Sequence, residues 1–302
     1  MISINNLTNT RKAFREAGID NYLFNITDIQ REQIKIIVLE IYLDIQEYCN
    51  RNDIVPFLVG GSALGAVRHQ GFIPWDDDLD VGMIRKQYDK FVTGFRKEYR
   101  DKYVINCAGK SKNAKTRFTK VMKKGTICKE LVGPSADYLN GIFVDVFPID
   151  NVPNNRIIRM LKGCYCNALE FISSQVFYKE FENEEILEVL RNTGRFNYYV
   201  RRIVGSVFSF KKSSKWFAKI DKVERWNDEK SNFCSIIPGR KHYFGEIIKR
   251  DIILPERYVK FENIEAPVFN DVEGYLSNLY GDYMKIPPED KREKHMVREL
   301  KF

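Results

Sequence analysis

Histidine is nearly missing from this chain, with three in 302 residues. The six cysteines, at 49, 107, 128, 164, 166 and 234, form no C-x-x-C pair. Together these shortages exclude the usual structural zinc patterns. Long apolar runs are missing too. The longest charge-free stretch, Ile54 to Val67, has 14 residues and includes Gly60, Gly61 and Gly65. A bilayer span needs about 20 apolar residues, so no transmembrane helix is expected. The opening MISINNLTNTRKAFREAG has no apolar signal-peptide core, which points to a cytoplasmic protein with reduced, buried thiols. A redox pair at Cys164 and Cys166 is the lesser reading. Repeats and low-complexity tracts are also absent.

What is present is a folding composition, with 44% hydrophobic and 30% charged residues. The net charge of +8 is unevenly spread. Arg191 to Lys222 holds nine basic residues against Asp221 alone, so the remaining chain is neutral, with 40 basic and 40 acidic residues.

Thr27 or Asp28 caps a predicted helix running to about Tyr48, with Ile34, Val38, Ile41 and Ile45 on one face. Ile54–Val59 and Leu79–Met83 read as strands, with a short helix from Ala63 to Arg68 between them. A helix over Arg85–Tyr99 and strands at Tyr103–Cys107, Phe118–Met122 and Ile142–Phe147 complete an α+β pattern with a mixed sheet flanked by helices. Long helical periodicity follows Pro153, and extended segments return at Phe233. Asn270 or Asp271 caps a last helix, which ends at Gly281. The expected organisation is a catalytic core with an N-terminal helix (1–150), a basic helical insertion (151–232) and a C-terminal α/β extension packed on the core (233–302).

The segment GGSALGAVRHQGFIPWDDDLDVGM, residues 60–83, concentrates the chemistry. Asp76, Asp77, Asp78 and Asp80 fall within five positions. On a strand, Asp78 and Asp80 share a face while Leu79 and Val81 enter the core. Two carboxylates held side by side suit a hard cation, Mg²⁺ or Mn²⁺; a solvated acidic turn is the ordinary alternative. Gly60 and Gly61 end a strand and open a helix, so bare N–H groups can approach a phosphate, with Ser62 adding a hydroxyl. Asp145 lies inside the apolar strand GIFVDVF and needs either a metal or a basic partner. Asp150, beyond Pro148, reads as a loop cap. Lys120, Lys123 and Lys124 could neutralise phosphate oxygens or could be solvated strand-end lysines. His69 could act as a base, although a loop histidine is more often a hydrogen-bonding spacer. Trp75 could face a trimethylammonium group, and a Trp bracing the loop is the ordinary reading.

The run LGAVRHQGFIPWDDDLDVGM closely resembles the LicD family signature, and the likeness continues through VDVFPID (144–150), residues 243–269 and residues 275–295. It covers both ends of the chain but not the basic middle. The resemblance implies a nucleotidyltransferase fold of the polymerase β type. It further implies transfer of phosphocholine or a related phosphoalditol from a CDP-activated donor to a hydroxyl of a cell-surface glycan or lipid-linked glycan precursor. In that frame Asp78, Asp80 and Asp145 are the catalytic metal ligands, and Asp145 can take the acceptor proton. Gly60, Gly61, Ser62, Arg68, Trp75, Lys120 and Lys123 face the donor or its phosphates. Tyr280–Asp282 and His295 match the family's C-terminal pattern. Attachment of the nucleotide itself, or a non-catalytic membrane-docked scaffold, are the rival functions.

In the basic segment, Phe196, Tyr199, Val200, Ile203, Val204, Val207 and Phe208 make one stripe. Lys212, Lys215, Lys219 and Lys222 lie opposite Trp216, Phe217 and Ile220. Residues 191–222 therefore suit an anionic membrane surface, which predicts peripheral attachment at the inner face of the cell membrane. A core-packed helix with a solvated basic face is the plain alternative. No basic stripe elsewhere suggests nucleic acid.

Overall fold

The structure is a computed structural model that describes residues 24, 26–182, 195–226, 231–289, 292 and 297–302. Arg191 and His295, and the side chains of Arg195 and Phe196, lie outside the described residues.

Helix α1 (Asp28–Arg51) starts where the sequence predicts. Thr27 and Gln30 form a capping box, and Ile34, Val38, Ile41, Tyr42 and Ile45 are buried. Strand β1 (Phe57–Leu58) leads into helix α2 (Gly60–His69). This helix starts three residues earlier than its apolar pattern suggests, because the glycines are its first turn. Gly60 has φ +55°, a backbone geometry that favours glycine. A loop returns the chain to strand β2 (Asp80–Ile84), which passes straight into helix α3 (Arg85–Glu98). Strands β3 (Tyr103–Asn106), β4 (Thr119–Lys123) and β5 (Ile127–Glu130) follow, then the long β6 (Phe143–Val152).

The main sheet runs β1-β2-β6-β4-β3, with β2 parallel to β6 and the other neighbours antiparallel. Beyond β6 come α4 (Arg156–Glu180), α5 (Arg195–Phe208) and α6 (Ser213–Glu224). Strands β7 (Phe233–Ser235) and β8 (Ile247–Lys249), separated by the one-turn α7 (His242–Gly245), extend the sheet from the far end of β6. The hairpin β9 (Arg257–Phe261) and β10 (Ile264–Val268) and helix α8 (Val272–Tyr280) then pack on the core. Asp271 caps α8 through the Gly274 N–H, and Gly281 ends it. The final strand β11 (Val297–Lys301) pairs with β5.

The architecture is mixed α+β with a mixed sheet flanked by helices. Strand β5 is absent from the sequence reading because ICKE has neither alternation nor an apolar run; β11, far away in the chain, supplies its partner. Asp150 is not a loop cap. β6 continues through Pro148 to Val152, and Asp150 is a fully buried strand residue bound to Arg85 Nε at 2.7 Å. Pro148 is tolerated because its neighbour on β2, Met83, belongs to the parallel edge of the ladder.

Candidate active site

Three strands bring three charged side chains into one row. Asp80 on β2 is aligned with Asp145 on β6, which is aligned with Lys120 on β4. Aligned residues point to the same face, so the row is a consequence of register. Lys120 Nζ lies 3.3 Å from Asp145 Oδ1 and 3.7 Å from Glu130 Oε1. The ammonium also sits 3.2 Å from the centroid of the Phe143 ring. Burial disfavours the Lys120 charge, but Asp145 and then Glu130 outweigh it and raise its pKa above the ordinary lysine value. Lys120 is therefore neither a solvated strand-end lysine nor an open phosphate clamp; it is the basic partner that the buried Asp145 required. Lys115 Nζ, 3.6 Å from Glu130, joins the same cluster.

The start of α2 closes over this row. A Cβ added to Gly60 would meet Asp80 Oδ2 at 3.0 Å, and one added to Gly61 would meet Asp76 Oδ2 at 3.2 Å. Ser62 Oγ accepts the Asp80 N–H at 2.8 Å, which ties the helix start to the strand start. The Gly60 N–H is donated to Tyr275 Oη at 3.1 Å, and the Ser62 N–H to the Val59 carbonyl at 3.1 Å. The expected bare cradle is thus partly filled by the protein's own acceptors.

Asp78 precedes β2 instead of lying on it, so strand alternation does not place it beside Asp80. It belongs to a half-buried loop with Asp76 and Asp77. Among the described residues, these three form the group of carboxylates close enough to share a cation, with one oxygen from each within 4.8 Å of the others. Leu79 and Val81 are buried, as their spacing predicts.

Of the other residues singled out in the sequence, Lys123 is not brought to this row. Three positions from Lys120, it faces the opposite side of the sheet and is ion-paired with Glu40 of α1. His69 ends α2, about 13 Å from Gly60 by helical rise. Its Nε2 accepts from Arg68 Nε at 2.9 Å, and burial followed by the Arg68 charge lowers its pKa. Arg68 is fixed by the Tyr283 carbonyl at 2.8 Å and lies 5.9 Å from the Trp75 ring. Trp75 packs against the core, with the Arg292 guanidinium 4.3 Å from its ring centroid. The ring thus has a cation from the chain itself, consistent with a loop-bracing role.

Two contributors escaped the sequence reading. Tyr275 and Tyr280 on α8 are pushed well above the ordinary tyrosine pKa. Burial is the main cause for both, and Asp80 adds to it. Arg240 stands 5.4 Å from the Tyr280 ring. Their signal was present in YLSNLYGD, where tyrosines five apart flank a helix end, but nothing local links that helix to Gly60.

A glycine-opened helix end pressed against strand-borne carboxylates, beside a buried lysine, is a site built to handle phosphate and a hard cation. The sequence profile described as LicD/FKTN/FKRP, nucleotidyltransferase domain, matches residues 53–177, which contain this whole row. The lipopolysaccharide cholinephosphotransferase LicD of Haemophilus influenzae is 30% identical over 272 residues, covering 89% of this chain and 96% of that protein. Shorter likenesses occur with uncharacterized proteins of Rickettsia typhi (34% over 82 residues; 24% of this chain, 26% of that one) and Rickettsia prowazekii (49% over 43 residues; 14% and 16%). The core is a nucleotidyltransferase-type catalytic domain. The chain belongs to the LicD family and is a homologue of a LicD cholinephosphotransferase.

Proposed function

We propose that the protein transfers a phosphoryl-alcohol unit, phosphocholine or a close relative, from a CDP-activated donor to a hydroxyl of a cell-surface glycan or lipid-linked glycan precursor. The observation that carries this reading is the contact of Gly60 and Gly61 with the carboxylates of Asp80 and Asp76. It leaves a backbone-walled, acid-lined lip where a pyrophosphate and its counter-cation fit together. The acceptor hydroxyl attacks the alcohol-bearing phosphorus, the bond to the bridging oxygen breaks, and CMP leaves with that oxygen. Asp145 takes the hydroxyl proton, and Lys120 offsets the negative charge beside it.

The donor set suits Mg²⁺ or Mn²⁺, since the three loop carboxylates converge within 4.8 Å and offer only hard oxygen ligands. Asp78, Asp80 and Asp145 would hold the metal, with Asp76 and Asp77 adding charge at the same mouth. When bound, such an ion neutralises the pyrophosphate and lowers the pKa of the acceptor hydroxyl. Gly60, Gly61 and Ser62 would bound the donor phosphates. Arg68 and Trp75 would line its outer end.

Among the described residues no helix is long and apolar enough to cross a membrane. The basic segment 191–222 would instead hold the enzyme peripherally at an anionic surface, where a lipid-linked acceptor is also found.

The test is incubation with Mg²⁺ and a panel of CDP-choline, CDP-ribitol, CDP-glycerol and CDP-ethanolamine, with CMP release as the readout. Release from one donor, abolished by EDTA and restored by Mg²⁺, is expected. No release from any donor by folded protein at saturating Mg²⁺ and with lipopolysaccharide or teichoic acid supplied would contradict the reading.

A further inference from the structure

The N-terminal half of α4 carries an apolar face that the core does not cover. Ile157, Leu161, Cys164 and Ala168 recur at helical spacing and are exposed, with Ile158 and Tyr165 on one flank and Met160 on the other. Ile157 is 64% and Leu161 61% exposed, values ordinarily found for charged side chains on such a helix. No charged residue interrupts this face between 157 and 168.

Helix α6 lies antiparallel beside α4. The Ser213 N–H reaches Glu180, and Lys162 Nζ reaches the Glu224 and Trp226 carbonyls at 3.0 and 2.8 Å. Its inner side, Trp216, Phe217, Ile220 and Glu224, is buried. Its outer side presents Lys215, Lys219 and Lys222 at i, i+4 and i+7, followed by Trp226, which is 68% exposed. Lys219 joins the two surfaces: its Nζ stands 5.8 Å from the Tyr165 ring and 5.5 Å from that of Trp216. Trp216 in turn lies 5.9 Å from the exposed Phe210 at the end of the α5 region.

We infer that the exposed face of α4 and the lysine stripe of α6 form one docking surface for an anionic lipid bilayer. The apolar face enters the headgroup boundary while Lys215, Lys219 and Lys222 meet lipid phosphates, and Trp226 sits at the interface. Charge complementarity decides the occupant. A second copy of this chain would bring the same three lysines against themselves, whereas an anionic bilayer satisfies both halves of the surface at once. The inference deepens the membrane reading above by moving the apolar contact from the 191–222 segment to α4, and it rests on that reading only for the presence of a membrane.

The experiment is vesicle flotation of the full chain, without donor or acceptor, on phosphatidylcholine vesicles with and without 30 mol% phosphatidylglycerol. Three variants accompany the wild type: Ile157→Glu/Leu161→Glu on α4, Lys215→Gln/Lys219→Gln/Lys222→Gln on α6, and Tyr199→Glu/Ile203→Glu on α5. Circular dichroism establishes that each is folded. Quenching of Trp226 by brominated lipid, read against Trp226→Phe, reports insertion without any change to α4. The surface predicts flotation only with phosphatidylglycerol, a loss of at least tenfold in the α4 and α6 variants, and quenching that disappears with Trp226. Flotation lost only in the α5 variant would overturn this surface while leaving the membrane reading intact. No flotation of wild type would overturn both, and neither result touches CMP release. A concentration-dependent dimer abolished by the α4 substitutions, without vesicle binding, would assign the face to self-association and overturn the inference.

Discussion

The strand floor of the active site and the outer side of α6 handle charge in opposite ways. In the floor, Asp80, Asp145 and Lys120 are fixed by sheet register, and burial makes each sign depend on its neighbour. On α6, Lys215, Lys219 and Lys222 are exposed, and helix periodicity alone sets their spacing. The first arrangement holds charges where small displacements matter, as chemistry demands. The second holds them loosely in water, which is adequate for attraction to a surface. A third arrangement joins the two regions. Arg85 begins α3 directly after the strand that carries Asp80. It binds Asp150 of β6 and reaches Asp221 of α6 at 2.9 Å, while Arg225 ties Asp221 at 2.7 Å and Asp89 at 2.6 Å.

The largest expected effect removes the floor's function and leaves its fold. Asp80→Asn should cost roughly a thousandfold in CMP release. Its melting temperature should stay within a few degrees of wild type, because the backbone bond from Asp80 to Ser62 Oγ survives. A variant that melts early instead would make Asp80 a structural residue.

Breaking the junction should do the reverse. Arg85→Met leaves Asp150, Asp221 and Glu224 buried without their shared cation, at a cost of about 3–5 kcal/mol in urea unfolding. Unchanged stability would mean that the two regions are held by apolar packing alone.

Glu224 sharpens the comparison through pH. It is fully buried, has no hydrogen-bond partner among the described residues, and lies 3.9 Å from Arg85 Nη2. Burial, then Asp150, pushes its pKa up to about 8. A carboxyl whose folded pKa is raised binds its proton more tightly when folded. Its contribution is therefore complete below the unfolded value of 4.5 and is lost as pH rises through about 8. Wild type should lose about 2–4 kcal/mol across that window relative to Glu224→Gln, measured by urea titration at pH 5 and pH 9. Parallel curves would show that Glu224 is already ionised in the fold.

The smallest effect belongs to an element indifferent to both regions. Thr27→Ala removes the capping box of α1 and should cost about 1 kcal/mol in thermal unfolding, with CMP release unchanged.

Much of this was legible in the sequence, for physical reasons that differ by element. Helices α1 and α8 announced themselves because capping and periodicity are local. The glycines and the Asp run stood out because such residue types are costly except where a close approach or a cation requires them. Lys120 was found, but its partner was not, since the pairing of β4 with β6 spans 25 residues and register is not written in either strand alone. Asp78 was misplaced by a short margin: a strand that starts at position 80 changes which side chains share a face. Asp150 was misread because proline normally ends a strand, and only the parallel neighbour β2 explains its place inside one. Tyr275 and the β5–β11 pair depend on contacts across more than 160 residues, beyond any local pattern.

The most direct test of the proposed chemistry is the mass of the acceptor glycan after incubation with Mg²⁺ and the CDP-alcohol that supports CMP release. Transfer of the phosphoryl-alcohol predicts an acceptor heavier by that unit, with one CMP released per unit added. An acceptor heavier by the nucleotide monophosphate would contradict the account and make the protein a nucleotidyltransferase in its reaction as well as in its fold.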